Sequence, residues 1–146
     1  MRNNKINCLI SGFGGIGYRH LQGILSYNFE GIIYIYDINK HQYELGLNKI
    51  KIDYDYENIK KRIIFINSYS EIKEDIFLLI LSGPSKNRYN EYKLVKSFLN
   101  VNFTILEKLI ECNVDELSDL INLTTNENIF VNTPRRLWPL YKKLKL

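Results

Sequence analysis

The sequence predicts an α/β fold with a doubly wound parallel sheet of about six strands, on the basis of three observations. Short apolar runs alternate with longer amphipathic stretches along the chain, as is typical of parallel strands joined by helical crossovers. Glycines occupy the first, third and sixth positions of residues 12–17, between the first apolar run and the first amphipathic stretch. An acid, Asp37, closes the second apolar run, 20 positions after Gly17.

The predicted elements follow one another in a regular order. Each short apolar run predicts a strand, and the six lie at residues 6–10, 32–36, 63–66, 76–81, 101–106 and 129–132. Amphipathic spacing predicts the longer helices, at residues 16–28, 39–50, 88–100 and from 113 onward, with a short turn or helix near 70–74. Right-handed crossovers and a glycine loop after the first strand favour the strand order 3-2-1-4-5-6.

Two local details can also be predicted. Ile16 is expected on the inner face of the first helix, because it shares helical spacing with apolar residues further along. Asn113 is expected to cap the last helix, and Glu116, three positions later, is expected to complete a capping box.

The glycine loop carries the clearest chemistry. A strand, then glycines at positions 1, 3 and 6, then a helix is the fingerprint of a Rossmann-type dinucleotide-binding fold. The first glycine permits the tight turn, the second lets the backbone approach a pyrophosphate, and the third allows close helix–strand packing. The pyrophosphate would lie at the helix N-terminus, which favours an anion. We therefore expect the whole loop to bind the cofactor: Gly12, Phe13, Gly14, Gly15, Ile16 and Gly17.

Asp37 is the predicted selectivity residue for the cofactor. An acid about twenty residues after the glycines, at the tip of the second strand, would accept hydrogen bonds from ribose hydroxyls. The same carboxylate would repel a 2′-phosphate, which favours NAD over NADP, although Lys40 and His41 follow closely and would soften that preference. The alternative is a glycine-rich turn followed by an aspartate that caps a helix.

Composition excludes several other classes of function. The 146 residues predict one domain. The net charge of +4 comes from scattered basic residues, so nucleic acid is not expected as a partner. Two cysteines are too few for a disulfide framework, and no spacing of Cys, His and acidic residues suggests a metal site. No apolar run is long enough to span a membrane and no signal peptide is evident, so a cytoplasmic location is expected.

Four segments, in order, resemble the glucose-fructose oxidoreductase/inositol dehydrogenase (Gfo/Idh/MocA) family of oxidoreductases. They are Gly-Tyr-Arg-His at 17–20, Ser-Gly-Pro-Ser at 82–85, Glu-Lys-Leu at 107–109 and Asn-Thr-Pro-Arg-Arg at 132–136. The resemblance implies hydride transfer between a nicotinamide cofactor and a hydroxyl or carbonyl carbon, commonly of a sugar or polyol. A dinucleotide and a small sugar-type molecule are thus the expected ligands.

The resemblance also implies roles for individual residues. Lys108 matches the family's catalytic lysine beside nicotinamide and substrate; otherwise it is a solvated lysine at a strand end. Ser82 and Pro84 match the loop that contacts the cofactor. Glu107 would contact the nicotinamide ribose or pair with a nearby base, and His20 would lie beside the phosphates as a ligand contact or a packing residue.

The sequence departs from the family pattern at three points. Leu109 replaces a proline, and Arg88 stands where a histidine is expected. Family members also carry a second domain for substrate, whereas here residues 1–132 would form the NAD(P)-binding domain and 133–146 a helical tail. Two alternatives to a complete enzyme therefore stay open. One is a non-catalytic dinucleotide-binding module, and the other is a module that docks a separate substrate domain or forms a homo-oligomer.

Overall fold

The computed structural model describes residues 6–27 and 30–133. Its strands are β1 (Cys8–Ser11), β2 (Ile33–Tyr36), β3 (Ile63–Ile66), β4 (Ile76–Leu81), β5 (Val101–Glu107) and β6 (Ile129–Asn132). Its α-helices are α1 (Gly15–Leu25), α2 (Lys40–Asp53), α3 (Tyr56–Ile59), α4 (Arg88–Phe98) and α5 (Val114–Thr124). Short 3-10 helices cover Lys60–Arg62, Tyr69–Glu71 and Ser85–Asn87.

The six strands form one parallel sheet in the order β3-β2-β1-β4-β5-β6, which confirms the predicted topology. Ser11 at the end of β1 is in register with Tyr36 at the end of β2 and with Leu81 at the end of β4. The chain direction of the crossovers reverses between β1 and β4, and the carboxyl ends of the strands open there into a crevice. The topology therefore places the loops that follow β1, β2 and β4 around one site.

Apolar side chains are buried on both faces of the sheet, as expected for parallel strands with helices on each side. One cluster joins strand residues such as Ile10 to Leu21 of α1 and Ile50 of α2. The other joins Leu79 of β4 to residues of α4 and α5, including Leu120. Helices thus pack against both faces of the central strands, and the crevice lies at the carboxyl ends of these strands.

Part of the sheet keeps exposed aromatic side chains. Phe77, Phe103 and Phe130 are 41%, 45% and 39% exposed, and the rings of Phe77 and Phe103 are 5.1 Å apart between centroids. With neighbouring residues of β4, β5 and β6 they line a shallow groove of about 640 Å³. A contiguous apolar surface of this kind is more typical of an interface than of a free surface.

Several predicted details need correction. Ile16 does not lie on the inner face of α1, because its side chain is 53% exposed and borders the crevice. Asn113 does cap α5, since its side chain accepts hydrogen bonds from the amides of residues 115 and 116. Its own amide, however, donates to the side chain of Glu111 at 3.4 Å and not to the side chain of Glu116, as the predicted capping box would require.

The boundaries also differ slightly. β5 continues one residue further than expected and α4 ends two residues earlier. The connection at 53–62 contains the four-residue α3, which is too short to show a helical period in the sequence. Of the predicted tail at 133–146, residues 134–146 lie outside the described part of the chain.

Within residues 6–27 and 30–133, none of the helices has the length and apolar character needed to cross a bilayer.

Candidate dinucleotide-binding site

A cleft of about 750 Å³ lies at the carboxyl ends of β1, β2 and β4. Most of the predicted cofactor-binding residues line it: Gly12, Gly14, Gly15, Ile16, Asp37, Ser82 and Pro84. Three others, Phe13, Gly17 and Glu107, and the predicted catalytic residue Lys108 are not part of its lining. The topology thus brings together three of the loops that the sequence singled out, and leaves the loop after β5 outside the cleft.

Gly12 and Gly17 are required by close backbone packing. Gly12 has a φ of +91°, and a Cβ added there would lie 2.3 Å from the amide nitrogen of Gly83. A Cβ added at Gly17 would lie 2.1 Å from the carbonyl oxygen of Gly12. Since L side chains rarely adopt such a φ and no Cβ fits at these distances, only glycine suits the two positions.

Gly14 and Gly15 face open space instead. A Cβ added at either position would meet no atom within 4 Å. Gly14 is the N-cap of α1 and provides no side-chain cap, and the first turn of α1 contains no acidic residue. The first amides of a helix have no partner within the helix and carry partial positive charge. The start of α1 therefore has the room and the charge to bind a pyrophosphate.

Phe13 holds the loop through its packing. Its side chain is buried between the rings of Tyr18 and Phe65, at centroid distances of 6.2 and 5.8 Å. Its amide donates to Oδ2 of Asp37 at 2.5 Å. The Phe13 amide is therefore hydrogen-bonded to a protein side chain, and Phe13 affects the cleft by fixing the shape of the glycine loop.

Asp37 connects the ends of β1 and β2. Besides the amide of Phe13, its carboxylate accepts a hydrogen bond from the amide of Asn39 at 2.7 Å. A carboxylate can accept about four hydrogen bonds in all. Asp37 therefore has acceptor capacity left for a ligand hydroxyl in the cleft while it holds the glycine loop.

Ser82 connects the loop after β4 to the glycine loop. Its hydroxyl donates to the carbonyl oxygen of Gly12 at 2.6 Å, and its amide donates to that of Ser11 at 2.8 Å. Pro84, two residues later, borders the cleft. The serine that the family resemblance placed against the cofactor thus also braces the turn at Gly12.

Arg88 is a buried clamp between two loops. It is 1% exposed, and its guanidinium donates to the carbonyl oxygens of Gly83 at 2.5 Å, Leu109 at 2.9 Å, and Glu107. Burial lowers its pKa, whereas the neighbouring carboxylates, Glu91 foremost, favour the charged form. Arg88 stands where the family has a histidine, and here its guanidinium donates to backbone carbonyls and does not line the cleft.

Glu107 is engaged by residues of two other elements. Its Oε1 lies 2.6 Å from Nε2 of His20 in α1 and accepts a hydrogen bond from Asn132 of β6 at 2.5 Å. The structure thus shows Glu107 in contact with a nearby base, and its predicted contact with the nicotinamide ribose stays a prediction. His20 is correspondingly in contact with Glu107 at the end of β5.

Lys108 follows directly and is exposed. The peptide bond between Lys108 and Leu109 is cis. The carbonyls of Glu107 and Leu109, on either side of the lysine, are both held by Arg88. The backbone that carries Lys108 is therefore fixed, while its side chain extends into solvent.

Glu91 is a cleft residue that the sequence did not reveal. It lies in the first turn of α4, and its carboxylate accepts a hydrogen bond from the hydroxyl of Ser11. That hydroxyl is 2.8 Å from the hydroxyl of Tyr69. Acids are common in the first turn of surface helices, where they complement the dipole, so Glu91 gave no distinct signal in the sequence.

Among the residues described, no group of three His, Cys, Asp or Glu side chains is placed to hold a metal ion.

Comparison with known proteins gives matches at the level of structure. No family model matches the sequence, and no curated protein is significantly similar to it. A myo-inositol dehydrogenase from Lactobacillus casei, solved with NAD(H) and myo-inositol, is 12% identical, with a TM-score of 0.73 over 97% of this chain and 41% of that one. A dehydrogenase (MviM) from Clostridium difficile is 23% identical, with a TM-score of 0.66 over 96% of this chain and 43% of that one.

A third structure, UDP-N-acetylglucosamine 3-dehydrogenase GnnA from Acidithiobacillus ferrooxidans, is 12% identical, with a TM-score of 0.71 over 97% of this chain and 41% of that one. The chain spans between 36% and 43% of the length of eight such structures. These matches confirm the resemblance predicted from the sequence at the level of the fold. The chain has the fold of the N-terminal portion of Gfo/Idh/MocA-type dehydrogenases.

Proposed function

We propose that this chain binds NAD in the cleft as the cofactor-binding part of an NAD(P)-dependent oxidoreductase. The reaction would transfer hydride to or from a hydroxyl or carbonyl carbon of a sugar- or polyol-type substrate. The observation that supports it most is the start of α1, where Gly14 and Gly15 line the cleft with open space at their Cβ positions, no side chain caps the helix, and Asp37 borders the same cleft. The nicotinamide ring supplies the hydride chemistry when the cofactor is bound.

The residues of the cleft divide the binding task between them. The amides at the start of α1 would hold the pyrophosphate, and Asp37 would accept hydrogen bonds from the hydroxyls of the adenosine ribose. The described lining contains no Lys, Arg or His, but it does contain the carboxylates of Asp37 and Glu91. A 2′-phosphate would find no cation there, so NAD is the expected cofactor and NADP the weaker ligand.

Lys108 would act at the substrate side of the cofactor. Its position after β5 belongs to the carboxyl edge of the sheet, where ligands of this fold bind. Arg88 fixes the carbonyls of Glu107 and Leu109, so the point from which the lysine extends is well defined. We propose that its amine orients the reacting hydroxyl and carries its proton.

The first test is a titration of the folded chain with NADH and NADPH, followed by energy transfer from its aromatic residues to the reduced nicotinamide. Saturable binding of NADH, with weaker binding of NADPH, is the expected result. Asp37→Asn should narrow the difference between the two cofactors. A folded chain that binds neither would overturn the proposal.

Gly14→Ala is expected to weaken NADH binding by about tenfold or more, because the new methyl group occupies space in front of the first amides of α1. The fold itself has room for that methyl group. The matched control is Gly23→Ala in the same helix, where a Cβ also meets nothing within 4 Å. Equal NADH affinity for Gly14→Ala and Gly23→Ala would show that the ligand does not approach the start of α1.

Lys108→Met is expected to leave NADH affinity within about twofold of the parent and to lower hydride transfer by about a hundredfold or more. The control is Lys93→Met, which removes a lysine from the exposed surface of α4. Both variants would be compared by the rate of NAD⁺ reduction with a panel of polyols and sugars. If the parent reduces NAD⁺, comparable rates for the two variants would contradict a catalytic role for Lys108.

A second candidate function is a non-catalytic dinucleotide-binding or partner-docking module. The observation that favours it is the exposed aromatic groove on β4, β5 and β6, together with Glu107 being engaged by His20 and Asn132. A chain that binds NADH but reduces no NAD⁺ with any substrate of the panel would support this module. Measurable turnover that depends on Lys108 would support the enzyme.

A further inference from the structure

Glu91 lines the cleft between the end of β1 and the loop after β4. Its carboxylate accepts from the Ser11 hydroxyl at the end of β1. A Cβ added at Gly83 would lie 3.4 Å from its Oε2, so the carboxylate lies against the loop after β4, whose Gly83 in turn abuts Gly12. An acidic side chain is therefore placed beside the turn that would receive the pyrophosphate.

Charges of both signs act on Glu91. Asp37, across the cleft, is a second carboxylate and opposes ionisation of Glu91. Arg88, one turn earlier in α4, favours the charged form of Glu91, although its guanidinium makes its hydrogen bonds to the carbonyls of Gly83, Glu107 and Leu109 and no ion pair with Glu91. Tyr69 contributes only a neutral hydroxyl. Within residues 6–27 and 30–133, no Lys, Arg or His makes an ion pair with Glu91.

An ionised Glu91 and a bound pyrophosphate are therefore in conflict. Both would carry negative charge in the same cleft, and its described lining contains no Lys, Arg or His. Two like charges within one partly dry cleft repel each other appreciably. A protonated Glu91 removes the conflict and offers an O–H donor to the ligand.

We propose that Glu91 couples dinucleotide binding to protonation: the neutral acid admits the pyrophosphate-containing ligand, and the carboxylate weakens its binding. This inference rests on the proposed dinucleotide function and assigns control of the pH dependence of binding to a residue outside the glycine loop. The proton comes from solvent when the ligand binds and returns to solvent when the ligand leaves.

The direction of the pH dependence follows from the surroundings of Glu91. Burial raises the pKa of Glu91, and Asp37 adds to the rise, whereas Ser11, Arg88 and Tyr69 act against it. Glu91 is neutral below this raised pKa and charged above it. Affinity for the dinucleotide is therefore highest at acidic pH and falls as the pH rises through the pKa of Glu91.

The test is calorimetric titration of the folded chain with NAD⁺ between pH 5 and 8.5, in two buffers of different ionisation enthalpy. NAD⁺ is the probe because the reduced cofactor decomposes in acid. The parent is expected to take up a proton on binding and to lose about tenfold in affinity across this range. Glu91→Gln keeps the shape and the acceptor for Ser11, and is expected to bind without proton uptake, at an affinity that no longer changes with pH.

Glu44→Gln is the matched control, since it removes a carboxylate from the exposed surface of α2, which borders the cleft at its N-terminal end. It should keep the proton uptake of the parent. If the parent binds NAD⁺ with no proton uptake at any pH, or if Glu91→Gln keeps the parent's pH dependence, this inference is overturned while the dinucleotide function stands. Absence of NAD⁺ binding at every pH would instead overturn the proposed function, and this inference with it.

Discussion

Replacing Gly12 with alanine is expected to lower the free energy of unfolding by about 3 kcal/mol or more. Two penalties add at this position. The φ of +91° is strained for any L side chain, and the new Cβ would lie 2.3 Å from the amide nitrogen of Gly83 and 2.8 Å from the carbonyl carbon of Ser82. Both clashing groups belong to backbone, which cannot move aside as the end of a side chain does. The strands β1 and β4 would have to separate at the cleft.

Urea denaturation followed by circular dichroism measures this effect, with Gly23→Ala as the control. Gly23 lies in the exposed interior of α1 with open space at its Cβ, so alanine there should raise stability by about 0.5–1 kcal/mol. The two variants carry the same chemical change and should move stability in opposite directions. A Gly12→Ala chain as stable as the parent would mean that the loop after β1 adopts another shape.

The same turn shows why the fold could be predicted from the sequence. The positive φ of Gly12 and the contact of Gly17 with the carbonyl oxygen of Gly12 are local constraints, and they leave a fixed spacing of glycines that can be recognised without a structure, although Gly12 also abuts Gly83. The strand order follows from connections that all obey one handedness. The prediction for Ile16 was wrong because helical spacing does not distinguish a residue that packs on the sheet from one that borders a cleft. Ile16 has the spacing of the apolar face, but it lines the cleft.

The residues that could not be predicted act across long separations in sequence. Arg88 contacts the carbonyls of residues 19 and 21 positions later in the chain. Glu91 contacts Ser11 across 80 residues, and Glu107 contacts His20 across 87. Nothing in the local pattern distinguishes these side chains from solvated charges at helix and strand ends. Only the sheet topology brings them together, because it places the ends of β1, β4 and β5 side by side.

The predicted cofactor-binding residues also differ from one another in what they do at the candidate site. The residues that the sequence assigned to cofactor binding divide into those with space in front of them, Gly14 and Gly15, and those that hold the loops, such as Phe13 and Ser82. Variants of the first kind should change affinity without changing stability. Variants of the second kind should change both, so an affinity measurement alone would not separate binding from scaffolding.

Arg88→Met is the clearest case of scaffolding, and is expected to lower the free energy of unfolding by about 3–5 kcal/mol. The methionine fills part of the buried volume but leaves the carbonyl oxygens of Gly83, Glu107 and Leu109 without their donor. Desolvated carbonyls without partners account for the largest part of this cost. Because two of these carbonyls flank Lys108, the loop after β5 should lose its fixed path as well.

Arg19→Met is the control, since Arg19 is exposed on α1 and makes one long contact with Gln22, at 3.3 Å. Its removal should change stability by less than about 0.5 kcal/mol. Arg88→Lys should fall between the two, because one ammonium cannot span the three carbonyls that a planar guanidinium reaches from one position. Equal unfolding midpoints for Arg88→Met and Arg19→Met would show that the two loops are held by other contacts, and the fixed backbone on either side of Lys108 would then need another cause.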